Sequence, residues 1–163
     1  SYGNVYVAQV AMGANMTQVV KAFEEAEAHP GPSLIIAYSP CIAHGIDMTQ
    51  MMNRQKQAAA CGYWPLYRFD PHREETGDHA LHLDSRPPTS TFADFAAGED
   101  RFAFLARSQP EVAETLFAEA QRDIDNRWHL YEQMVDVERT ARYGDVTDDA
   151  DDDHADGTED GHA

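Results

Sequence analysis

The sequence is poor in cysteine, in basic residues and in long apolar runs. Its 163 residues include two cysteines, which cannot build a disulfide-rich scaffold or supply by themselves all ligands of a zinc or iron–sulfur site. Only 12 Lys and Arg stand against 29 Asp and Glu, whereas nucleic acids and anionic membranes are bound by clustered basic residues. No stretch reaches the roughly 18 consecutive apolar residues of a membrane span. We therefore expect a cytoplasmic protein that binds neither nucleic acid nor membrane.

The negative charge is concentrated near the C-terminus. The formal net charge is -17, and nine of the acids lie between residues 145 and 160, where no Lys or Arg occurs, so the rest of the chain carries -8. A stretch of this composition has almost no apolar surface to bury and cannot offset the entropy lost on ordering. We therefore predict that residues 144–163 form a disordered acidic tail.

Apolar runs and helical stripes alternate along the first half of the chain, which predicts an α/β fold. Residues 4–12 are typical of a strand, and Asn15 with Gln18 has the spacing of a helix capping box. Residues 34–38 are short and continuously apolar, as in a strand covered on both faces of a parallel sheet. Residues 63–69 indicate a third strand, placed at a sheet edge because Pro65 has no N–H.

The last predicted element is a long amphipathic helix. Ser108 and Glu111 have capping-box spacing, Pro110 falls in the first turn, and apolar residues then recur at three- and four-residue steps as far as Val135. Shorter helices are predicted before it, over residues 47–60, from Thr91, and over residues 99–106.

Because the chain opens on Ser1 and almost at once enters a strand, we expect it to be the C-terminal piece of a longer protein.

Cys41 is the most informative candidate site residue, because it follows the end of the apolar strand at residues 34–38. In open α/β sheets, ligands bind at the carboxyl ends of the strands. Cys41 could act as a nucleophile with His44, or as a zinc ligand with His44, His79 and His82. As an iron–sulfur ligand it would need three more thiolates, and the chain offers only Cys61. A lone cysteine is more often a buried structural residue, so these alternatives stay open.

Four motifs in order resemble the C-terminal part of the pyruvate:ferredoxin (flavodoxin) oxidoreductases, a family of 2-oxoacid oxidoreductases. They are GNVYVAQVAMGAN, GPSLIIAYSPCIAHGID, GYWPLYRFDP and LDSRPP, and a terminal helix through Trp128 follows them, so that the resemblance covers residues 1–137. It implies that residues 1–85 are the C-terminal portion of a thiamin-diphosphate-binding α/β domain, a parallel sheet with flanking helices. Residues 86–143 are then a helical extension packed on that domain, ahead of the acidic tail at 144–163.

The resemblance also implies a function. Enzymes of this family convert pyruvate and coenzyme A to acetyl-CoA and carbon dioxide with thiamin diphosphate and Mg²⁺, and their [4Fe–4S] clusters pass electrons to ferredoxin or flavodoxin. The cysteine of the family's Y-x-x-C-I motif, here Cys41, is the fourth ligand of the cluster nearest the thiamin. The remaining cluster ligands and the thiamin and Mg²⁺ ligands lie in the rest of the oxidoreductase chain, so the isolated chain is expected to be inactive.

Two further expectations concern the oligomeric state and an alternative function. A homo-oligomer is expected of the full enzyme. The alternative to an enzyme fragment is a stand-alone interaction subunit that docks through its long C-terminal helix.

Overall fold

Within the part of the chain that the structure describes, a four-stranded sheet is flanked by helices. The computed structural model describes residues 4–137, so the predicted acidic tail lies outside the described residues. In chain order the elements are β1 (Tyr6–Val10), α1 (Met16–Ala28), β2 (Ser33–Ala37), α2 (Met51–Ala60), β3 (Tyr67–Phe69), β4 (Leu81–Leu83), α3 (Phe92–Ala96), α4 (Asp100–Ser108) and α5 (Pro110–Val135). Among the helices of residues 4–137, none has the length and apolar character needed to cross a membrane.

The sheet is mixed, with the strand order β2-β1-β3-β4. β1 pairs in parallel with β2, with Ala8 opposite Ile35, and antiparallel with β3, with Ala8 opposite Arg68. β4 pairs antiparallel with β3. The predicted α/β class is confirmed, but the expectation of a wholly parallel sheet is wrong. Only residues 70–80 join β3 to β4, and this connection is shorter than the crossover that parallel neighbours require.

Two strands occupy positions in the sheet that differ from the expected ones. β2, predicted to be covered on both faces, is an edge strand whose Leu34 is 51% exposed. β3, predicted at an edge, lies between β1 and β4. The reason is that Pro65 precedes the strand, so its missing N–H removes no hydrogen bond from the ladder. The carbonyl of Pro65 instead accepts a hydrogen bond from Gln9 Nε2 at 2.8 Å.

Helix α1 packs on the face of the sheet that β1 and β2 form. Asn15 Oδ1 accepts a hydrogen bond from the Gln18 N–H at 3.0 Å, which confirms the predicted N-cap. The Gln18 side chain does not complete a capping box, because the Asn15 N–H donates to the Ala11 carbonyl at 3.0 Å. The Gln18 Nε2 instead donates to the Gln9 carbonyl on β1 at 3.2 Å. The buried cluster beneath the helix consists of Tyr6, Ala8, Val10, Val19 and Ala22.

A second core lies among helices α2, α3 and α5. Its buried residues are Ala58, Cys61, Phe92, Phe95, Ala96 and Ile124. The predicted start of α3 is confirmed, because Thr91 forms a capping box with Asp94. Pro110 stands in the first turn of α5 as predicted, but the expected capping box there is absent: Gln109 occupies the N-cap position, and Ser108 Oγ donates to the Leu105 carbonyl at 3.5 Å.

Arg68 on β3 is 2% exposed and joins three parts of the fold. Its Nε and Nη2 donate to the carboxylate of Asp84, each at 2.9 Å, and its Nη1 donates to Glu25 on α1. Glu25 also accepts a hydrogen bond from the Tyr6 hydroxyl at 2.9 Å. An unpaired charge is costly to bury, so this pairing with two carboxylates is what allows a cation to lie within the sheet.

Replacing Arg68 with Met should lower the free energy of unfolding by about 3–5 kcal/mol, because Glu25 and Asp84 then lose a buried partner. Urea denaturation measures the loss. Lys21→Met is the matched control, since the Lys21 ammonium lies 3.9 Å from Glu25 on a side chain that is 56% exposed. That change should cost less than about 1 kcal/mol. Equal losses in the two variants would contradict the role assigned to Arg68.

Candidate functional site

Cys41 lies on a loop that leaves the sheet at edge strand β2. The side chains of Pro40 and Ile46 are buried, whereas the Cys41 side chain between them is exposed. The backbone from Ile42 forms a short 3-10 turn that ends at Gly45, which has a φ of 68° and donates its N–H to the Ile42 carbonyl at 3.0 Å. Two buried side chains therefore anchor a short loop that presents a thiol to solvent.

The two cysteines differ in exposure and in chemistry. Cys61 is 0% exposed in the helical core, and its Sγ lies 3.5 Å from the Ala58 carbonyl. Burial raises the pKa of the Cys61 thiol, so that the neutral form is favoured. Cys61 is therefore a packed structural residue. Cys41 is thus the thiol that a metal or a reagent can reach in the folded chain.

The histidines that were alternative partners of Cys41 do not form a metal centre with it in the described part of the chain. His82 lies beside Asp84, with Nε2 at 3.3 Å from the carboxylate, and burial lowers its pKa despite that neighbour. The side chain of His44 lies outside the described side chains. Across residues 4–137, no three His, Cys, Asp or Glu side chains are grouped so that they could hold a metal ion. A zinc site built from Cys41, His79 and His82 therefore has no support there.

An iron–sulfur cluster fits this chain only as a shared group. A [4Fe–4S] cluster takes four thiolates, and Cys61 is wholly buried in another part of the fold. The exposed Cys41 thiol could therefore supply one ligand, with the other three from outside the chain.

Glu99 is a candidate residue that the sequence analysis did not identify. Its carboxylate is buried, lies 2.6 Å from Arg101 Nη2, and accepts a hydrogen bond from the Tyr38 hydroxyl at 3.3 Å. Burial, with the nearby Glu99 carboxylate, raises the pKa of Tyr38. Tyr38 opens the segment that leads to Cys41, so this hydrogen bond joins that segment to a residue 61 positions away. In the sequence, Glu99 is an acid at the start of a predicted helix, which is too common a pattern to mark a site.

A cleft of about 440 Å³ lies elsewhere, beside the LDSRPP motif. Lys56 on α2 and Arg86 line it together with Asn15 and Ser85. Asn15 also caps α1, and none of the cleft's lining residues belongs to the Cys41 loop.

Comparison with known proteins places most of the chain within longer oxidoreductases. It is 52% identical over 135 residues, 83% of this chain, to the pyruvate-flavodoxin oxidoreductase of Nostoc sp.. It is 49% identical over 136 residues to the pyruvate:ferredoxin oxidoreductase of Moorella thermoacetica, and 49% identical over 140 residues to the pyruvate-flavodoxin oxidoreductase of Trichormus variabilis. The chain spans only 11% to 12% of the length of these relatives. No protein-family profile matches it.

Cys41 should react with Ellman's reagent in the folded chain, whereas Cys61 should react only after unfolding, because exposure and thiolate formation both control the rate. We expect one of the two thiols to be titrated under native conditions and both in guanidinium. Cys41→Ser should abolish the native reaction. Native reaction of Cys61 would contradict the packing described for it.

The rate at which Cys41 is alkylated tests the alternative that Cys41 is a catalytic nucleophile. A catalytic thiol should react with iodoacetamide faster than the thiol of a short unstructured peptide at the same pH. A Cys41 rate no higher than that of the peptide argues against a thiol enzyme.

Proposed function

Because most of this chain is homologous to a segment of the pyruvate-flavodoxin and pyruvate:ferredoxin oxidoreductases, we propose that it is the part of such an enzyme that supplies one [4Fe–4S] ligand, Cys41. The observation that carries the proposal is that Cys41, the matching cysteine of the Y-x-x-C-I motif, is the exposed thiol of the two. Its loop follows the carboxyl end of β2, the kind of edge at which α/β proteins bind cofactors.

The full enzyme then carries out the chemistry implied by its family. Pyruvate and coenzyme A give acetyl-CoA, carbon dioxide, a proton and two electrons, which pass through iron–sulfur clusters to ferredoxin or flavodoxin. Thiamin diphosphate and Mg²⁺ supply the electron sink when bound, and their ligands lie in the rest of the protein. The part played by this chain is to hold one thiolate at a fixed place and to complete the cofactor domain. Turnover of pyruvate by the 163-residue chain alone, with coenzyme A and a viologen acceptor, would contradict this division.

The open side of β2 supports the remainder of the oxidoreductase as the partner. In the described part of the chain no strand pairs with the outer edge of β2, and Leu34 on it is 51% exposed. On α1, Glu25 faces Arg68 of β3. Met16 and Phe23, 50% and 57% exposed, lie on the opposite side of the helix, next to β2.

One neighbouring segment of the longer protein would account for both the open edge of β2 and the exposed apolar side of α1. A further strand parallel to β2, with its own helix, would pair with the open edge and cover the apolar side of α1. This arrangement continues the thiamin-diphosphate-binding α/β domain that the resemblance implies. Left open, an apolar strand edge of this kind promotes aggregation, which gives the longer protein a reason to cover it.

The outer face of α5 favours the second candidate function, a subunit that docks through this helix. Val112, Leu116, Leu130 and Met134 are 45%, 45%, 53% and 40% exposed, and their spacing places all four on one side of the helix. The middle of the same side is polar, because Glu119 and Asp123 lie there. An apolar patch at each end of a charged stretch suits packing against a larger surface better than a continuous coiled coil.

Cys41→Ser in an oxidoreductase that contains this segment should lower the bound iron and remove the electron paramagnetic resonance signal of one cluster, because a hydroxyl is a poor replacement for a thiolate ligand. Iron analysis and spectroscopy of the reduced enzyme provide the measurement. Cys61→Ala is the matched control, since it removes the buried thiol and should leave iron and signal intact. Unchanged iron and an unchanged signal in Cys41→Ser would refute the ligand assignment.

A further inference from the structure

Helix α4 begins beside the Cys41 loop and contacts the chain at both ends of it. Glu99 is the N-cap residue of α4, and Asp100 is the first residue of the helix. The Glu99 carboxylate accepts a hydrogen bond from Tyr38, just before the loop, and Asp100 lies against Gly45, at the end of its 3-10 turn. A loop restrained at both ends has fewer conformations than a loop held at one end.

The restraint at Tyr38 is built on a buried charge. Glu99 is 0% exposed, and both of its carboxylate oxygens are engaged: Oε2 accepts hydrogen bonds from Arg101, with Nε at 2.7 Å, and Oε1 accepts one from the Tyr38 hydroxyl. Tyr38 is held from the other side as well, because its N–H donates to the Val10 carbonyl at 3.0 Å and its ring packs edge-on against Trp64. A buried carboxylate paired in this way cannot move without losing charge-assisted hydrogen bonds.

The restraint at Gly45 is steric. Gly45 has a φ of 68°, in the left-handed region that favours glycine, and a Cβ at this position would lie 2.5 Å from Asp100 Cβ. The backbone of the loop therefore approaches the first turn of α4 as closely as a residue without a side chain allows. Any larger residue at position 45 would have to push the loop away from α4.

We propose that Glu99 and Asp100 are positioning residues, which fix the Cys41 loop against α4 and thereby fix the place of the thiol before a metal binds. The value of this placement for electron transfer rests on the proposed function, in which Cys41 is a cluster ligand, whereas the restraint itself does not depend on that role. A ligand whose supporting contacts hold it in place loses little freedom when the metal binds.

Spin labelling of Cys41 measures the restraint directly. A nitroxide on Cys41 of the 163-residue chain should give a spectrum of restricted motion, and Cys61 stays unlabelled because it is buried. Tyr38→Phe, which removes only the hydroxyl, and Glu99→Gln, which removes the charge, should each shorten the rotational correlation time of the label at least about twofold. Glu114→Gln on the exposed side of α5 is the matched control and should leave the spectrum unchanged.

A second label site separates local release of the loop from general loosening of the fold. A nitroxide at Ala118→Cys in a Cys41→Ser background reports on α5, where residue 118 is exposed. Its spectrum should stay the same in Tyr38→Phe and Glu99→Gln. The proposal is wrong if both variants leave the Cys41 label as restricted as before, or if they mobilise the label on α5 equally.

A pair of glycine substitutions tests the contact at the other end. Gly45 and Gly77 both have positive φ, 68° and 85°, but nothing lies within 4 Å of a Cβ at Gly77. Gly77→Ala therefore introduces backbone strain alone, whereas Gly45→Ala adds a collision with Asp100. Only Gly45→Ala should mobilise the label on Cys41. An unchanged label in Gly45→Ala would remove Asp100 from the proposal.

The outcomes for the restraint and for the cluster can be told apart. If Glu99→Gln mobilises the label here while Cys41→Ser keeps its full iron content in the longer oxidoreductase, the positioning role stands and the ligand role fails. If Cys41→Ser loses iron while the label stays restricted in Glu99→Gln and Tyr38→Phe, Cys41 is a ligand and Glu99 does not position it.

Discussion

The buried guanidinium of Arg68 is the constraint on which the order of the sheet depends. A cation in the interior must be paired, and its two partners come from α1 and from the chain just after β4. These two pairings hold β3 against α1 on one side and against the segment after β4 on the other, and β3 lies between β1 and β4, with β2 at the open edge. The Cys41 loop leaves the sheet from that edge.

Features that depend on neighbours in the chain could be predicted from the sequence. The Asn15 cap and the helix that Thr91 begins each follow from a few adjacent residues, and the structure contains both. Features that depend on residues distant in the chain could not be predicted in this way. Gln18 has the spacing of a capping box, yet the Asn15 N–H donates to the Ala11 carbonyl, and the Gln18 amide donates to the Gln9 carbonyl on β1. The predicted positions of β2 and β3 in the sheet were wrong for the same reason. Nothing near Pro65 or Leu34 in the sequence indicates which strand will lie beside them.

The candidate site also contains one residue that could be identified from the sequence and one that could not. Cys41 could be identified because a cysteine after an apolar strand is informative on its own. Glu99 could not, because its significance comes from burial and from a hydroxyl 61 positions away. The apolar residues of α1 illustrate a further limit. A helical stripe predicts burial, but Met16 and Phe23 face the side of α1 that this chain does not cover. Periodicity indicates that a surface is apolar without indicating what covers it.

The uncovered surfaces and the single accessible thiol lie on the same side of the molecule. β2 is parallel to β1 and open along its outer edge, and the Cys41 loop begins where β2 ends. A strand added in parallel to β2 would finish at the same edge of the sheet, and the loop after it would lie close to Cys41. The segment that completes the sheet is therefore the segment best placed to bring further ligands to that thiol. The chain spans 11% of the Nostoc relative, and among the described side chains Cys41 belongs to no group of three that could hold a metal ion.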